Sequence, residues 1–322
     1  MRQVGQPQRR RALSSRVARA AFRRGVPAST RFRLESYVAG NRSVVPEGAR
    51  LTASRMLGRK PVLPYLETHV TDHCNLACGG CDHFSPLSPP RFASPPRFAR
   101  DMHRLGQLFE NIRTIKLLGG EPLLHPDVLT FARHAREAFP RASVVLLTNG
   151  LLVPKLSDDF WGAAMALRLE LEMSVYPVAI EYERIERTAA RHGVRMRTSR
   201  RQTFCRIPLH EAADNDERRA FRDCRKWMNC PVLRDGRVYP CPRIPYVELL
   251  ERQFGIKVPV ADDDSIDIRG AADGYEVARF VRRPVLWCRH CHPRRVESYP
   301  WAPSRRQPEE WGLEAREDGS WL

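Results

Sequence analysis

The chain has 322 residues, enough for one large or two medium domains, and at 42% hydrophobic residues it can bury a core of its own. Its formal charge of +17 sits mostly in an arm: residues 1–60 hold 15 Lys/Arg against 2 Asp/Glu, and the remainder carries only +4. A near-neutral body excludes a broadly basic nucleic-acid surface, and the lack of any run of about eighteen apolar residues excludes a membrane-spanning helix.

The arm is rich in Arg, Ala and Ser and is expected to be a basic N-terminal extension over residues 1–60, partly disordered, with a possible basic helix from Ser14 to Arg24. Val62 to Val70 then reads as a strand, with Tyr65, Leu66, Thr68 and Val70 suited to a pleated surface. It runs directly into Thr71–Asp82, TDHCNLACGGCD, where Cys74, Cys78 and Cys81 are spaced by three and two residues. Three close thiolates leave a cubane [4Fe–4S] cluster one ligand short. The same triad with His73 or His83 would also suit a single zinc. Pro86, Pro89, Pro90, Pro95 and Pro96 are expected to forbid regular structure up to about residue 97.

Beyond that point helix and strand patterns alternate. Met102, Leu105, Leu108, Phe109 and Ile112 mark a helix, and Thr114–Leu118 a strand that ends at Gly119-Gly120-Glu121-Pro122. Helices are expected over Pro126–Phe139, Asp158–Leu167 and Tyr182–His192, with strands over Ser143–Leu147, Leu169–Val175 and Val194–Thr198. Strands separated by helices of this length imply right-handed βαβ units and a parallel sheet. Ligands bind such sheets beyond the C-terminal strand ends. The cysteine loop, the GGEP turn, Thr148-Asn149 and Ser174 to Tyr176 all fall there.

The character changes after residue 200. Cys224, Cys230, Cys241, Cys288 and Cys291 follow, with Asp235-Gly236 as a two-residue hairpin signal that folds Cys241 back toward the cysteines before it. The nine cysteines cluster as three, one and five, which favours metal sites over disulfide staples. Cys205 stands alone and reads as a buried apolar filler. No signal-peptide apolar region is evident, so a cytoplasmic location is expected.

The cysteine triad followed by GGEP resembles the radical S-adenosylmethionine (radical SAM) superfamily, on its CxxxCxxC signature and GGEP motif, over roughly Tyr65 to Arg200. The later pattern (a cysteine, eleven residues, Gly-x4-Cys, then CxxC) resembles the SPASM/twitch auxiliary-cluster extension. The resemblance implies an α/β fold: a partial (β/α)6 barrel over residues 61–203, a small cysteine-rich twitch-like domain over 204–300 and a tail over 301–322. It implies a [4Fe–4S] cluster on Cys74, Cys78 and Cys81 that binds S-adenosylmethionine. Gly119, Gly120, Glu121 and Pro122 would hold the methionine part, and Ser174 is a candidate ribose contact. A second [4Fe–4S] cluster would sit on Cys241, Cys288, Cys291 and either Cys224 or Cys230. No catalytic side chain is assigned. The family often carries an aromatic residue before the third cysteine to stack on adenine; this chain has Gly80 there, leaving His83 or Phe84 as substitutes.

The implied reaction is reductive cleavage of S-adenosylmethionine to a 5′-deoxyadenosyl radical, which abstracts hydrogen from a small hydroxylated, sugar-like substrate, with the auxiliary cluster assisting oxidation. The implied partners are S-adenosylmethionine, that substrate, and an electron donor such as a flavodoxin or ferredoxin; neither a membrane nor nucleic acid is expected. The alternatives are a peptide-modifying enzyme of the same family and a non-enzymatic zinc protein.

Overall fold

The computed structural model describes residues 59–225 and 230–313, together with Arg55. The chain divides into two units, Met1–Ala49 and Arg50–Leu322, and every described residue belongs to the second. The basic arm and its Ser14–Arg24 helix therefore lie outside the described residues, apart from Arg55, Arg59 and Lys60.

Five parallel strands open the fold, each crossing to the next through a helix. They are β1 (Val62–Thr71), β2 (Asn111–Gly119), β3 (Ser143–Thr148), β4 (Leu169–Val175) and β5 (Met196–Arg200). The helices between them are α1 (Pro95–Leu108), α2 (Val128–Ala138), α3 (Asp158–Ala166) and α4 (Tyr182–Arg191). The strands lie side by side in the order β5-β4-β3-β2-β1, and a sixth parallel strand, β7 (Val232–Arg234), adds to the free edge of β1. This is the arc of a partial α/β barrel. The sixth strand joins beside the first, not after the fifth.

Strand alternation divides the sheet chemically. Leu66, Ile115, Leu117, Val144, Leu146 and Leu171 lie on one face, buried in the core with the helices. Glu67, Lys116, Glu172 and Arg197 lie on the other and form a belt of alternating charge: Lys116 Nζ is 3.2 Å from Glu172, whose other oxygen is 3.6 Å from Arg197. Glu67 and Ser174 are on this polar face and both are buried.

The local signals hold with three adjustments. The apolar steps read as one helix through Ile112 break after Leu108, and Ile112 lies in β2, which starts at Asn111 and not at Thr114. The proline run does not delay α1 to residue 97. Pro95 and Pro96 occupy its first positions after the N-cap Ser94, where a missing N–H costs nothing and a fixed φ is already helical. The fifth strand starts two residues late because Val194 N–H is used to close α4, donating to Ala189 O at 2.9 Å.

After β5 the chain forms β6 (Thr203–Arg206), α5 (Glu217–Cys224), β7, β8 (Arg237–Tyr239), α6 (Glu248–Phe254), β9 (Ile266–Asp267), α7 (Gly274–Phe280) and β10 (Glu297–Pro300). Asp235 and Gly236 form the tight turn between β7 and β8, with φ of +52° and +83°. β10 pairs antiparallel with β6, and this brings residues 301–313 back over the cysteine loop, with Trp311 and Leu313 buried. Cys205 departs from expectation: it is exposed on β6, with its sulfur 3.2 Å from Ser298 Oγ. Its alternation on a two-stranded ribbon points it outward. Among the described residues no helix is long and apolar enough to cross a membrane.

Candidate metal and cofactor centre

β1 ends at Thr71 and delivers the cysteine loop to the C-terminal edge of the sheet, beside the end of β2. The GGEP turn and the loop are joined backbone to backbone. Gly120 N donates to Thr71 O at 2.9 Å and Glu121 N to His73 O at 3.1 Å. A Cβ on Gly120 would lie 2.0 Å from His73 O, and one on Gly119 would lie 1.9 Å from Thr71 O. The two glycines are what allow this approach.

Glu121 is fully buried. One carboxyl oxygen accepts from Thr148 Oγ1 at 2.7 Å and from Leu123 N at 3.1 Å; the other accepts from Asn149 N at 2.8 Å. The acid thus ties the end of β2 to the end of β3, and a carboxylate with about four acceptor positions keeps one for a ligand. Asn149 extends the tie to the cysteines: its Nδ2 donates to Asn75 Oδ1 at 2.7 Å and lies 3.6 Å from Cys74 Sγ.

Burial raises the Glu121 carboxyl from its ordinary 4.5 to about 7, against donation from Asn149, Thr148 and Leu123. A cationic ligand would draw it down again. Without one, the native state holds this proton more tightly than the unfolded chain. Its stability therefore falls as pH rises from about 4.5 to about 7, by about 3 kcal/mol, and is level in this respect above that. Glu121→Gln removes the dependence. In denaturant melts of the metal-free chain, the variant should gain about 3 kcal/mol on the wild type across that interval; a difference constant with pH would contradict this.

Burial also pushes the thiols of Cys74 and Cys78 up to about 12 and raises Cys81; Glu121 and the neighbouring sulfurs add to the effect at Cys74. A bound metal reverses this balance by stabilising thiolates. Trp301 and Tyr176 lie close enough to the Cys78 sulfur to favour its thiolate, and the buried indole N–H of Trp301 has no hydrogen-bond partner. His73 Nδ1 accepts from Arg91 N at 3.1 Å, and His83 Nδ1 lies 3.3 Å from Gly119 O.

Gly80 has a φ of +67°, and a Cβ there would lie 1.8 Å from Tyr299 Oη. The aromatic ring beside this position therefore comes from β10, with Tyr299 Oη donating to Gly79 O at 3.1 Å. Phe84 is not an adenine platform: it is wholly buried, tilted against Trp311 with ring centres 6.5 Å apart. Trp311 in turn donates its indole N–H to Cys81 O at 2.9 Å. Ser174 is buried near the end of β4, in register with Ser199 of β5.

The five later cysteines line one cavity, walled by Phe221, Pro240 and Trp287. Cys224 ends α5, Cys241 follows the β7–β8 hairpin, and Cys288 lies within a short 3-10 helix, Leu286–His290, that Cys291 caps, with Cys291 N donating to Cys288 O at 3.2 Å. An ion pair of 2.6 Å between Asp223 and Arg294 fastens the end of α5 to the segment after Cys291. Burial raises Cys241, Cys288 and Cys291, and the sulfur of Cys224 acts on all three. Cys230 lines the same cavity and acts on Tyr65 and Arg225. The donor chemistry fits iron–sulfur groups at both places: three thiols beside a polar cradle, and a group of thiols around a cavity. Arg243 supplies a further observation, since its buried Nε lacks a hydrogen-bond partner and the sulfurs of Cys291, Cys241 and Cys224 act on its charge.

Sequence reasoning placed Tyr176 at a strand end without a role, and missed Trp301, Tyr299, Trp311 and Arg243. These four reach the cysteines only through folding.

Residues 68–175 match the sequence profile of the Radical SAM superfamily. Over 103 residues the chain is 31% identical to GTP 3',8-cyclase of Heliobacterium modesticaldum, covering 31% of each chain. Over 123 residues it is 29% identical to molybdenum cofactor biosynthesis protein 1 of Bos taurus, covering 37% of this chain and 19% of that one. These alignments thus span about a third or less of the curated relatives' length. Among solved structures, BtrN in complex with AdoMet and 2-DOIA aligns over 72% of this chain and 94% of its own, at 15% identity and a TM-score of 0.45. AdoMet-bound anSMEcpe aligns over 43% of each chain, at 17% identity and a TM-score of 0.35.

Proposed function

We propose that this chain, with its radical SAM domain at residues 68–175, is an enzyme that cleaves S-adenosylmethionine reductively and removes hydrogen from a small hydroxylated substrate. When bound, the iron–sulfur group of Cys74, Cys78 and Cys81 and its S-adenosylmethionine supply the electron transfer and the hydrogen-abstracting radical. The chain supplies placement. Gly119 and Gly120 let a ligand lie against the loop, Glu121 offers a carboxylate to the ammonium of the methionine part, and Asn149 holds the Cys74 side of the loop. Ser174, near the end of β4, is the proposed ribose contact.

The observation that carries this reading is the backbone weld between the GGEP turn and the cysteine loop: Glu121 N to His73 O at 3.1 Å. An open iron and an ammonium-binding acid must be neighbours for one amino acid to bridge them, and the hydrogen bond between the two segments supports that reading.

An auxiliary cluster is proposed on Cys241, Cys288, Cys291 and Cys224, with Cys230, which lines the same cavity, as the alternative to Cys224. Its role would be to accept an electron during substrate oxidation, and a flavodoxin or ferredoxin would supply the reducing electron for cleavage. A small polar substrate, in preference to a peptide, is supported by the polar face of the sheet. Glu67 lies there with Oε1 unpartnered, and so does Ser199 with its hydroxyl unpartnered, below the strand ends that carry the cofactor motifs. Such buried acceptors suit hydroxyl or amine donors.

Anaerobic purification tests the proposal. The expected result is a brown protein with about eight irons per chain and matching sulfide, which forms 5′-deoxyadenosine and methionine from S-adenosylmethionine when reduced with dithionite. A colourless protein with stoichiometric zinc would falsify it, as would a fully loaded protein that leaves S-adenosylmethionine intact.

A further inference from the structure

Arg243 lies two residues beyond Cys241 and is 2% exposed. Its Nη1 donates to Ile207 O at 2.9 Å. Its Nε stands 3.6 Å from Asp82 Oδ1, too far for a hydrogen bond, and has no other partner. Its guanidinium carbon is 5.9 Å from the centre of the Phe84 ring. Asp82 acts on it most strongly, followed by the sulfurs of Cys291, Cys241 and Cys224. Asp82 is the residue directly after Cys81. A buried cation therefore stands beside the residue that follows the triad and two residues from Cys241, and the sulfurs of the later group act on it.

A buried guanidinium with one distant carboxylate is poorly compensated, and removing a charge from water without a close partner is expensive. Four thiolates carrying a [4Fe–4S] group are anionic, and more so after one-electron reduction. The potential of such a group is set by net charge and by hydrogen bonds to its sulfurs. Arg243 offers both a fixed positive charge and an unused buried N–H, two residues from Cys241. Neither lysine nor a neutral residue reproduces the planar, always-charged fork.

We propose that Arg243 is a positioning residue that stabilises the reduced form of the auxiliary cluster, and that Asp82 moderates this effect from the triad side. The cation would raise the midpoint of the cluster and so favour its acceptance of an electron. The proposal rests on the auxiliary-cluster reading above. The couple is a one-electron change in which the cluster gains an electron from the reductant and no bond forms or breaks.

The test uses the full chain with Cys74, Cys78 and Cys81 replaced by Ala, so that only the later group can hold iron. After anaerobic reconstitution, iron is counted, and the cluster is titrated with dithionite under electron paramagnetic resonance. About four irons per chain are expected; their absence defeats the auxiliary-cluster reading itself and not the role of Arg243 alone. In this background Arg243→Gln should lower the midpoint by at least a tenfold change in the reduced-to-oxidised ratio, about 59 mV for one electron. Arg243→Lys should recover part of the shift, and Asp82→Asn should move the midpoint upward. An unchanged midpoint in an iron-replete Arg243→Gln protein overturns the proposal. If that variant fails to hold iron, Asp82→Asn decides: an upward shift supports the proposal, and no shift or a downward one overturns it.

Discussion

Cys78→Ala should reduce the formation of 5′-deoxyadenosine to the buffer background and remove about four irons per chain. Cys78 is buried at 6% exposure, and its backbone bridges to Pro303. Trp301 and Tyr176 act on its sulfur. Alanine leaves no ligand and no space for another side chain to reach the same point, so the triad cannot hold a cubane. Cys288→Ala is the matched comparison. It removes a thiol from the separate cavity behind α5 and should likewise cost about four irons, yet leave measurable cleavage of S-adenosylmethionine. Iron analysis and quantification of 5′-deoxyadenosine under excess dithionite distinguish the two. Equal loss of cleavage in both variants would argue against two centres with separate roles.

Gly120→Ala should be nearly as damaging without touching a ligand. The added methyl would be 2.0 Å from His73 O and 2.2 Å from His73 C, both backbone atoms. A flexible side chain could yield to such a contact, but two welded backbones cannot do so without breaking the bond from Glu121 N to His73 O. Overpacking of this kind costs roughly 1–3 kcal/mol and sometimes more, and here the cost falls on the loop that holds the triad. The expected result is a protein that folds with reduced stability and loads the triad poorly. Gly162→Ala is the control. That glycine lies within α3, and a Cβ on it would meet nothing within 4 Å, so the substitution should stabilise the chain by up to about 1 kcal/mol through helix propensity. Urea melts and iron counts on both variants check the pair. Normal iron loading in Gly120→Ala would mean that the weld between turn and loop is dispensable.

Much of the βα core was legible because its signals are local. Leu169–Val175 matches β4 residue for residue, since an apolar alternation bounded by a helix end and a loop leaves little freedom. The Asp235-Gly236 turn was readable from two residues because a tight hairpin requires positive φ at both. Errors arose where one local rule was applied without its exception. Prolines at residues 95 and 96 start a helix as readily as they prevent one. Cys205 looked like a core residue by type, but its strand pairs only with β10 and leaves that side chain in solvent.

The candidate site was legible in half. Cys74, Cys78, Cys81 and Gly119 to Pro122 could be named because their chemistry depends on spacing along the chain. The groups around the sulfurs could not. Trp311 reaches Cys81 O across 230 residues, and Tyr299 reaches Gly79 O across 220. No periodicity or turn signal encodes such a meeting.

From the sequence alone came the ligand spacing, the glycine-acid turn and the strand–helix alternation, since each is settled by neighbours a few bonds away. Tertiary structure alone decided that the turn is welded to the cysteine loop, that Cys224, Cys230, Cys241, Cys288 and Cys291 share one cavity, and that Arg243 is buried beside Asp82. The reason is physical: a buried charge or thiol takes its properties from whatever surrounds it, and those surroundings are assembled from distant segments only when the core closes.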